Sequence, residues 1–206
     1  MGFYARHVMP TIVACGCSLP PITKLRRAVV PRAEGVVLEL GLGSGLNLPL
    51  YDPARVTKVF GLEPEAAMLA KARRRADRST VPVTVLREGA EAVSLDARSV
   101  DTVLVTFSLC TIPEVEAALS EARRVLRPAG RLLFCEHGRS PDPELFRRAT
   151  KIEPTWKKLF GGCHLTRDIP ALVQAAGFTI DQLEAGYLGG RPSFGGYVYR
   201  GSASPG

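Results

Sequence analysis

The sequence predicts an α/β fold, in which a doubly wound, mostly parallel sheet of seven strands carries helices on both faces. Three observations predict it. Short apolar runs alternate with helical patterns from Gly35 onward. A glycine-rich turn at residues 41–45 directly follows the first apolar run. The last two runs have the pattern of a closing antiparallel pair, so the final strand is expected to be antiparallel.

Seven apolar runs predict the strands. The first is almost wholly apolar, as in a strand that is buried on both faces of a parallel sheet. The fourth is the richest in β-branched residues, and Pro82 in the third indicates a strand that begins exposed or lies near an edge. The predicted strands cover residues 35–40, 57–62, 81–87, 101–107, 131–135, 178–187 and 197–200.

Four helical patterns lie between the strands. They cover residues 65–77, 113–126, 141–158 and 169–176. Pro64 precedes the first turn of the first helix, and Gly177 is expected to cap the last one. One face of the first helix is expected to hold Ala66, Leu69, Ala70 and Arg73. The second has a strong apolar face, and residues 128–130 after it are predicted to turn the chain into the fifth strand.

Length and composition limit the class of protein. A chain of 206 residues without a linker or repeat predicts a single domain over 1–206, with residues 1–30 as an N-terminal lid or surface segment. A hydrophobic content of 46% and a charged content of 23% exclude a disordered chain and a coiled coil. No apolar run reaches the roughly 20 residues of a membrane span. The stretch 8–14 is short and contains Pro10, so no signal peptide is expected and a cytoplasmic location is predicted.

The cysteines do not indicate a disulfide framework. There are five of them, an odd number, in a chain too long to need one. Cys15 and Cys17 are too close together for C-x-x-C ligand spacing, and no second pair completes a zinc site. Reduced thiols and no bound metal are therefore expected.

The net charge of +7 raises nucleic acid as a partner. The basic residues are scattered, however, and the only dense run is 73–75 with Arg78. No aromatic stacking platform accompanies that run, so a nucleic-acid partner is not expected. The basic cluster at residues 24–32 would suit a peripheral contact with an anionic membrane surface.

Three interpretations of the glycine turn at 41–45 compete. A P-loop would need Gly-Lys-Ser/Thr at its end, which is absent. A dinucleotide site would have G-x-G-x-x-G, whereas this turn reads G-x-G-x-G. The third interpretation is a nucleoside ligand without a pyrophosphate. Glu63 favours it, because an acidic side chain 20 positions after Gly43 and at the end of the second strand can accept hydrogen bonds from both ribose hydroxyls.

Four motifs resemble a known family. They are Glu39-Leu-Gly-Leu-Gly-Ser-Gly45, Gly61-Leu-Glu-Pro64, Gly89-Ala-Glu91 and Leu126-Arg-Pro-Ala-Gly130. In order and spacing they resemble the successive motifs of class I S-adenosylmethionine-dependent methyltransferases of the type 11 group, which implies the Rossmann-like methyltransferase fold. Segments 109–113, 135–138, 154–156 and 162–168 are similar to the small thiol methyltransferases of animal endoplasmic reticulum and their short bacterial relatives.

The resemblance implies S-adenosyl-L-methionine as cofactor and S-adenosyl-L-homocysteine as product. Glu39 and the glycine turn would border the methionine moiety, Glu63 would hold the ribose, and the segment 89–91 would flank the adenine. The family often has Asp or another polar residue at the position of Gly89, so adenine recognition would depend on backbone groups near Ala90. The implied cofactor contacts are Glu39, Gly41, Leu42, Gly43, Ser44, Gly45, Asn47, Glu63, Pro64, Gly89, Ala90, Glu91, Thr106, Phe107 and Ser108.

The implied reaction asks little of side chains. In-line attack on an electrophilic methyl group mainly needs orientation and a dry cavity, which together supply roughly 7–11 kcal/mol of the barrier. A protonated nucleophile must also lose its proton, for which a general base contributes about 100- to 10,000-fold. His137, which follows the fifth strand, is the first candidate and His164 the second. A structural histidine is the alternative for each.

The acceptor is expected to be a small molecule, which the resemblance implies is a thiol, and the protein is expected to be a monomer. Candidate substrate contacts are Tyr4, His7, Cys110, Trp156 and Cys163. The cysteines and Trp156 are open to a second interpretation as core residues. Two alternative functions stay open: phospholipid (phosphatidylethanolamine) N-methylation, and cofactor binding without turnover. The animal enzymes carry a longer apolar N-terminal anchor than the broken stretch 8–19 of this chain.

Overall fold

Seven strands form one sheet in the computed structural model of the protein, which describes residues 18–206. The strands are β1 (Gly35–Leu40), β2 (Val56–Leu62), β3 (Val83–Leu86), β4 (Val100–Thr106), β5 (Leu126–His137), β6 (Phe178–Tyr187) and β7 (Tyr197–Pro205). Their order is β3-β2-β1-β4-β5-β7-β6. Neighbouring strands are parallel from β3 across the sheet to β5. Strand β7 is antiparallel to both of its neighbours, β5 and β6. The predicted mostly parallel sheet with an antiparallel last strand is confirmed.

Five helices flank the sheet in the described part of the chain: α1 (Pro20–Val29), α2 (Ala66–Ala76), α3 (Val115–Val125), α4 (Pro143–Leu159) and α5 (Ile169–Ala175). Short 3-10 turns occur at Val30–Arg32, Leu48–Leu50 and Leu188–Gly190. None of these helices is both long and apolar enough to cross a membrane.

The apolar core has two parts, one on each face of the sheet. On one face, α3 and α5 pack through residues such as Leu119 and Ile169 against Leu38 of β1. On the other, Val29 of α1 and Ala72 of α2 belong to a second cluster. Because both faces are covered, the central strands β1 and β4 are mostly apolar and buried, as in other parallel sheets.

The sheet changes direction between β1 and β4. The chain runs outward from β1 through β2 to β3 at the edge, then returns to place β4 on the other side of β1. In open α/β sheets, the carboxyl ends of the strands at such a switch point form a crevice where ligands bind. The turn at residues 41–45 lies at this point. The edge position indicated by Pro82 is also confirmed.

One predicted turn is part of a strand. Residues 128–130 belong to β5, which begins at Leu126. Leu126 pairs with Val100, whereas Arg131 pairs with Thr102, so four residues on β5 lie opposite one on β4. The segment is therefore a wide irregularity within β5, and it accommodates a proline because the regular ladder is interrupted there.

The face of α2 that holds Ala66, Leu69, Ala70 and Arg73 is not its buried face. Ala66, Ala70 and Arg73 are exposed in α2, and the buried residues are Met68, Leu69 and Ala72. Alanines occur on both faces of this helix, so the position of the two large apolar side chains decides which face packs. The face predicted for α3 is confirmed, since Val115, Ala118, Leu119, Ala122 and Val125 are all buried.

The first described helix, α1, was not predicted. Two prolines at its start fit the first helical turn, where backbone N–H groups have no helical partner. Arg26 and Val29 on one side are buried, whereas Lys24 and Arg27 on the other are exposed. The described part of the expected lid or surface segment thus contributes to the core. Tyr4 and His7 lie outside the described residues.

Candidate active site

Glycines shape the turn between β1 and the 3-10 turn at Leu48–Leu50. Gly41, Gly43 and Gly45 have φ angles of +69°, +59° and +81°, a left-handed conformation that glycine adopts without strain. A Cβ atom on Gly41 would overlap the side chain of Ser108. A Cβ atom on Gly43 would meet no heavy atom closer than the Gly41 carbonyl oxygen, at 4.0 Å. The chain at Gly43 therefore leaves open space on the side of the cavity described below.

Glu63 connects this turn to the end of β2. Its Oε2 accepts the Gly43 N–H at 2.8 Å, and its Oε1 accepts the Glu65 N–H at 2.9 Å. Burial raises the pKa of Glu63, while the two backbone hydrogen bonds oppose that shift. A carboxylate has about four acceptor sites, so each oxygen keeps capacity for one further donor.

A cavity of about 310 Å³ opens beside these groups at the carboxyl ends of β1, β2 and β4. Its walls come from the glycine turn, the end of β2, segment 88–91 after β3 and the turn after β4, with Phe160 and Gly161 beyond α4. Of the residues predicted to contact a cofactor, those on its wall are Gly41, Leu42, Gly43, Ser44, Glu63, Pro64, Gly89, Ala90, Glu91, Thr106, Phe107 and Ser108.

Glu39 and Asn47, which were also predicted as contacts, lie behind the wall in a buried polar network. Glu39 accepts the Asn47 amide at 2.8 Å and the Tyr51 hydroxyl at 2.6 Å. Burial raises the pKa of Glu39 to about 7, against these hydrogen bonds and the charge of Arg26. The Asn47 amide also donates to the Thr106 hydroxyl at 2.9 Å, so the network ties β1 to β4.

Gly45 is likewise absent from the wall. A Cβ atom there would lie 3.1 Å from Leu48 and 3.4 Å from Cβ of Arg75. Gly45 thus allows the close packing of the turn on α2, from which Arg75 donates to the Ser44 carbonyl.

Arg26 of α1 is a site residue that the sequence did not reveal. It is 7% exposed and lines the cavity. Its guanidinium donates to Asn47 Oδ1 at 2.9 Å and to the Thr106 hydroxyl, while its Nε is buried without a partner among the described residues. The interpretation of the 24–32 cluster as membrane surface therefore does not extend to Arg26. The sequence hides it, because neighbouring Lys24 and Arg27 are ordinary surface residues.

Phe107 adopts an unusual backbone conformation at the end of β4. Its φ is +54°, which is costly for a residue with a side chain. Its N–H is held by the Cys135 carbonyl at 2.9 Å, and the Arg26 guanidinium lies 5.3 Å from the ring centroid. The strained position directs the following turn, 108–112, along the cavity.

Beyond this turn, three predicted residues from separate segments converge. Cys110 follows β4, His137 ends β5, and Cys163 follows α4. Their ligand atoms all lie within 4.8 Å of one another, and His137 Nε2 is 3.2 Å from Cys163 Sγ. Trp156 donates from Nε1 to the same sulfur at 3.3 Å. We call these three side chains the Cys-His-Cys cluster.

The cluster favours a thiolate at Cys163. Hydrogen bonds from Cys110, then from His137 and Trp156, lower the pKa of Cys163 to about 4 in spite of burial. Burial disfavours the His137 cation, yet the hydrogen bond and charge of Cys163 outweigh it and raise the pKa of His137. Thiolate and imidazolium thus stabilise each other.

Glu136 fixes the turn that carries Cys110. Its Oε1 accepts the Ser108 N–H at 2.7 Å, and the amides of Leu109 and Cys110 also favour its charged form. Burial nevertheless raises its pKa to about 7. Two consecutive residues of β5 thus act in one region, since Glu136 positions the Cys110 segment and His137 contacts the Cys163 thiol. Sequence reasoning singled out only the second.

His164 has a different environment. Its ring Nδ1 lies 3.3 Å from Glu153 Oε1, and its backbone N–H donates to the Cys110 carbonyl at 2.7 Å. The other Glu153 oxygen accepts from Leu165 and Thr166. Burial, followed by Arg167 and Lys157, lowers the pKa of His164. These contacts give His164 a role in holding its loop; its catalytic role, like that of His137, stays a prediction.

Trp156 belongs to an aromatic group at the outer side of the cluster. Its ring stacks on Phe160 with centroids 4.0 Å apart, and it meets Phe194 edge to face at 5.8 Å. Phe160 lines the cavity, whereas Trp156 and the Cys-His-Cys cluster lie next to that wall rather than on it. A substrate contact at Trp156, Cys110 or Cys163 stays a prediction.

Comparisons with known proteins agree with this architecture. A family model described as a methyltransferase domain matches residues 38–134. Thiol S-methyltransferase TMT1B of Rattus norvegicus is 34% identical over 157 residues, covering 73% of this chain and 63% of that protein. A phosphatidylethanolamine N-methyltransferase of Cereibacter sphaeroides is 36% identical over 105 residues, which are 50% of this chain and 51% of that protein.

A solved structure extends the likeness in fold to nearly the whole chain. It is a SAM-dependent methyltransferase from Thermotoga maritima, with a TM-score of 0.66 and 21% identity, covering 98% of this chain and 100% of that one. The chain spans less than two thirds of the rat thiol methyltransferase. The motifs, the sheet order and these matches agree, and the chain carries a class I S-adenosylmethionine-dependent methyltransferase domain similar to that of the thiol S-methyltransferases.

Proposed function

We propose that this protein binds S-adenosylmethionine in the 310 Å³ cavity and transfers its methyl group to the sulfur of a small thiol. The observation that carries the proposal is Glu63. Its carboxylate stands at the carboxyl end of β2 on the cavity wall, with one oxygen held by Gly43 and the other by Glu65. This arrangement presents two fixed acceptors to a pair of neighbouring hydroxyls, as a ribose offers.

The residues present fit the cofactor. Gly43 leaves the open space that a ligand against the turn needs. Glu63 would accept the ribose hydroxyls, and the segment 89–91 would flank the adenine. At the other end, the buried and partly unpartnered guanidinium of Arg26 would pair with the methionine carboxylate. The acidic Glu63 and the basic Arg26 thus match the nucleoside part and the carboxylate of the cofactor.

Chemically, the bound sulfonium supplies an electrophilic methyl group. The chain's own contribution is to hold the acceptor in line with that group and to exclude water. Phe107, the turn after it, Phe160 and Gly161 contribute to the wall of this cavity. A thiol acceptor must also lose a proton, and the Cys-His-Cys cluster, which includes His137, holds the ionisable side chains beside this wall that would take part in that step.

Binding of S-adenosylhomocysteine measured by calorimetry tests the cofactor site. We expect micromolar affinity for the wild type and a loss of at least 100-fold in Glu63→Ala, because the variant removes both ribose acceptors. Glu116→Ala, which removes an exposed carboxylate on α3, is the matched control and should bind normally. A wild type without measurable binding heat, or Glu63→Ala with wild-type affinity, contradicts the proposal.

A phospholipid amine is the second candidate acceptor. The matching Cereibacter sphaeroides protein and the exposed Lys24 and Arg27 on α1 support it. In this alternative the protein acts from the cytoplasm at the membrane surface. Co-sedimentation with vesicles containing anionic lipid should then be lost at high salt and in Lys24→Glu/Arg27→Glu. Absence of vesicle binding at low salt excludes this alternative.

A further inference from the structure

The Cys-His-Cys cluster has the composition of a metal site. It combines two thiols with an imidazole, and all three ligand atoms lie within 4.8 Å of one another. In a tetrahedral zinc site with Zn–S bonds of about 2.3 Å and Zn–N bonds of about 2.0 Å, sulfur and nitrogen are roughly 3.5 Å apart. The observed separation of 3.2 Å between Cys163 Sγ and His137 Nε2 is close to that value.

Three independent segments bring these ligands together. Cys110 and Cys163 are buried at 3% and 9% exposure, although each belongs to a connection rather than to a strand or helix. A hydrogen bond of 2.7 Å from the backbone N–H of His164 to the Cys110 carbonyl joins the two connections. Gly162, with a φ of +85°, turns the chain immediately before Cys163. The cluster is therefore a fixed part of the fold.

Surrounding groups support the ligands as outer partners do in metal sites. Trp156 donates its indole N–H to Cys163 Sγ at 3.3 Å, and Glu136 anchors the turn that carries Cys110. His137 Nδ1 is buried without a hydrogen-bond partner among residues 18–206. In this respect His137 departs from the usual pattern, in which the second ring nitrogen also has a partner, and the orientation of its ring depends on Nε2 alone, the atom that faces the thiols.

We propose that Cys110, His137 and Cys163 bind a zinc ion whose fourth position is open to the sulfur of the methyl acceptor. Two thiolates and an imidazole are soft and borderline ligands that select zinc, and three protein ligands with one open position are the pattern of catalytic zinc. Chain neighbours of the cluster, Thr111 and Gly161, line the cavity, so the cluster lies directly behind the wall of the space assigned to the cofactor.

The role in catalysis rests on the proposed thiol methyltransferase function. An acceptor thiol that binds the zinc releases its proton to solvent and remains as a thiolate. Its sulfur then donates an electron pair to the methyl carbon, and a new S–C bond forms. The old bond between that carbon and the sulfonium breaks with its electron pair on the cofactor sulfur. The products are a methyl thioether and S-adenosylhomocysteine, both neutral at sulfur.

Cobalt(II) is the probe for the site, because tetrahedral thiolate coordination gives intense visible and near-ultraviolet bands. We expect the reduced full-length wild type to bind one cobalt ion with such a spectrum, and zinc to displace it. Cys110→Ser, His137→Ala and Cys163→Ser should each weaken binding at least 100-fold. The controls are Cys135→Ala, a buried cysteine outside the cluster, and Cys15→Ser/Cys17→Ser; both should keep the spectrum.

Two results would overturn the site: no tetrahedral spectrum in the wild type, or a spectrum that survives in Cys163→Ser and is lost in Cys15→Ser/Cys17→Ser. This measurement needs neither cofactor nor acceptor, so it is independent of the proposed function. For the catalytic role, removal of the metal should lower thiol methylation at least tenfold and leave S-adenosylhomocysteine affinity unchanged. Equal methylation by the metal-free and zinc-loaded enzyme overturns that role.

Discussion

At the scale of single residues, the site depends on charged groups that are buried. Glu39, Arg26 and Glu63 each lose hydration and regain hydrogen bonds from a few fixed partners. Such groups are costly to bury and are retained where their position matters. Each therefore makes a measurable prediction.

Glu39 should give stability a pH dependence. Burial raises its pKa in the folded state to about 7, against an ordinary value of 4.5. The folded state thus binds the Glu39 proton more tightly than the unfolded state does. The stabilising effect of this proton is complete below pH 4.5 and is lost as the pH rises to about 7. At 1.36 kcal/mol per pKa unit, the loss is about 3 kcal/mol.

Glu39→Gln removes this titration. In urea unfolding from pH 4.5 to 8, the variant should gain stability relative to the wild type as pH rises, then level off above pH 7. Glu116→Gln, on an exposed site, should stay parallel to the wild type throughout. Parallel curves for Glu39→Gln would show that Glu39 keeps an ordinary pKa.

Arg26 should discriminate between ligands by their carboxylate. S-adenosylhomocysteine carries one, whereas 5′-methylthioadenosine lacks the amino-acid end. In calorimetry the wild type should prefer the first ligand, and Arg26→Met should reduce that preference at least tenfold. Arg27→Met, at an exposed position on the same helix, is the control. An unchanged preference in Arg26→Met would remove Arg26 from the site.

At the scale of elements, two glycines of the turn at 41–45 have different roles: Gly41 is expected to affect stability and Gly43 ligand binding. A side chain on Gly41 overlaps Ser108, whereas one on Gly43 points into open space. Gly41→Ala should therefore lower the free energy of unfolding by about 2–4 kcal/mol, from a left-handed φ and a clash together.

Gly43→Ala should lower stability by only about 1–2 kcal/mol, because it adds a strained φ without a clash. Its larger effect should be on S-adenosylhomocysteine, whose affinity falls at least tenfold. Denaturation and calorimetry on the two variants check this. If Gly43→Ala binds normally, the ligand does not lie against the turn.

The elements also show what the sequence determines. Apolar runs predicted all seven strands, because buried parallel strands have a strong local pattern. The buried face of α2 was not identified and the turn at 128–130 was predicted wrongly, since both features depend on what packs against them. Helix α1 was not predicted at all, because its only buried residues among those described are Arg26 and Val29, and an arginine with a single valine does not form a recognisable apolar face.

The same division applies to the site. The glycine turn and Glu63 could be found because they are tied to the ends of consecutive strands. Cys110, His137 and Cys163 were singled out one at a time, but their convergence depends on the tertiary fold. Their spacing along the chain resembles no ligand motif, so no metal was expected.

At the scale of the whole molecule, the chain has a net charge of +7, but the charged side chains on the cavity wall are mostly acidic. Glu63, Glu65, Glu88 and Glu91 contribute to its wall, with Arg26 as the basic residue among the described lining. An acidic cavity suits a cofactor that carries a sulfonium and an amino group. The basic excess is scattered elsewhere, and the exposed arginines at 73–75 on α2 and at 147 and 148 on α4 are part of it.

The measurement that tests the central claim most directly is acceptor-dependent methyl transfer. The purified protein is incubated with S-adenosylmethionine and either a panel of small thiols or vesicles containing phosphatidylethanolamine, and both S-adenosylhomocysteine and the methylated product are quantified. The account predicts a methyl thioether formed in equal amount to S-adenosylhomocysteine, and loss of both in Glu63→Ala but not in Glu116→Ala. Tight cofactor binding with no thiol methylated across the panel would contradict it.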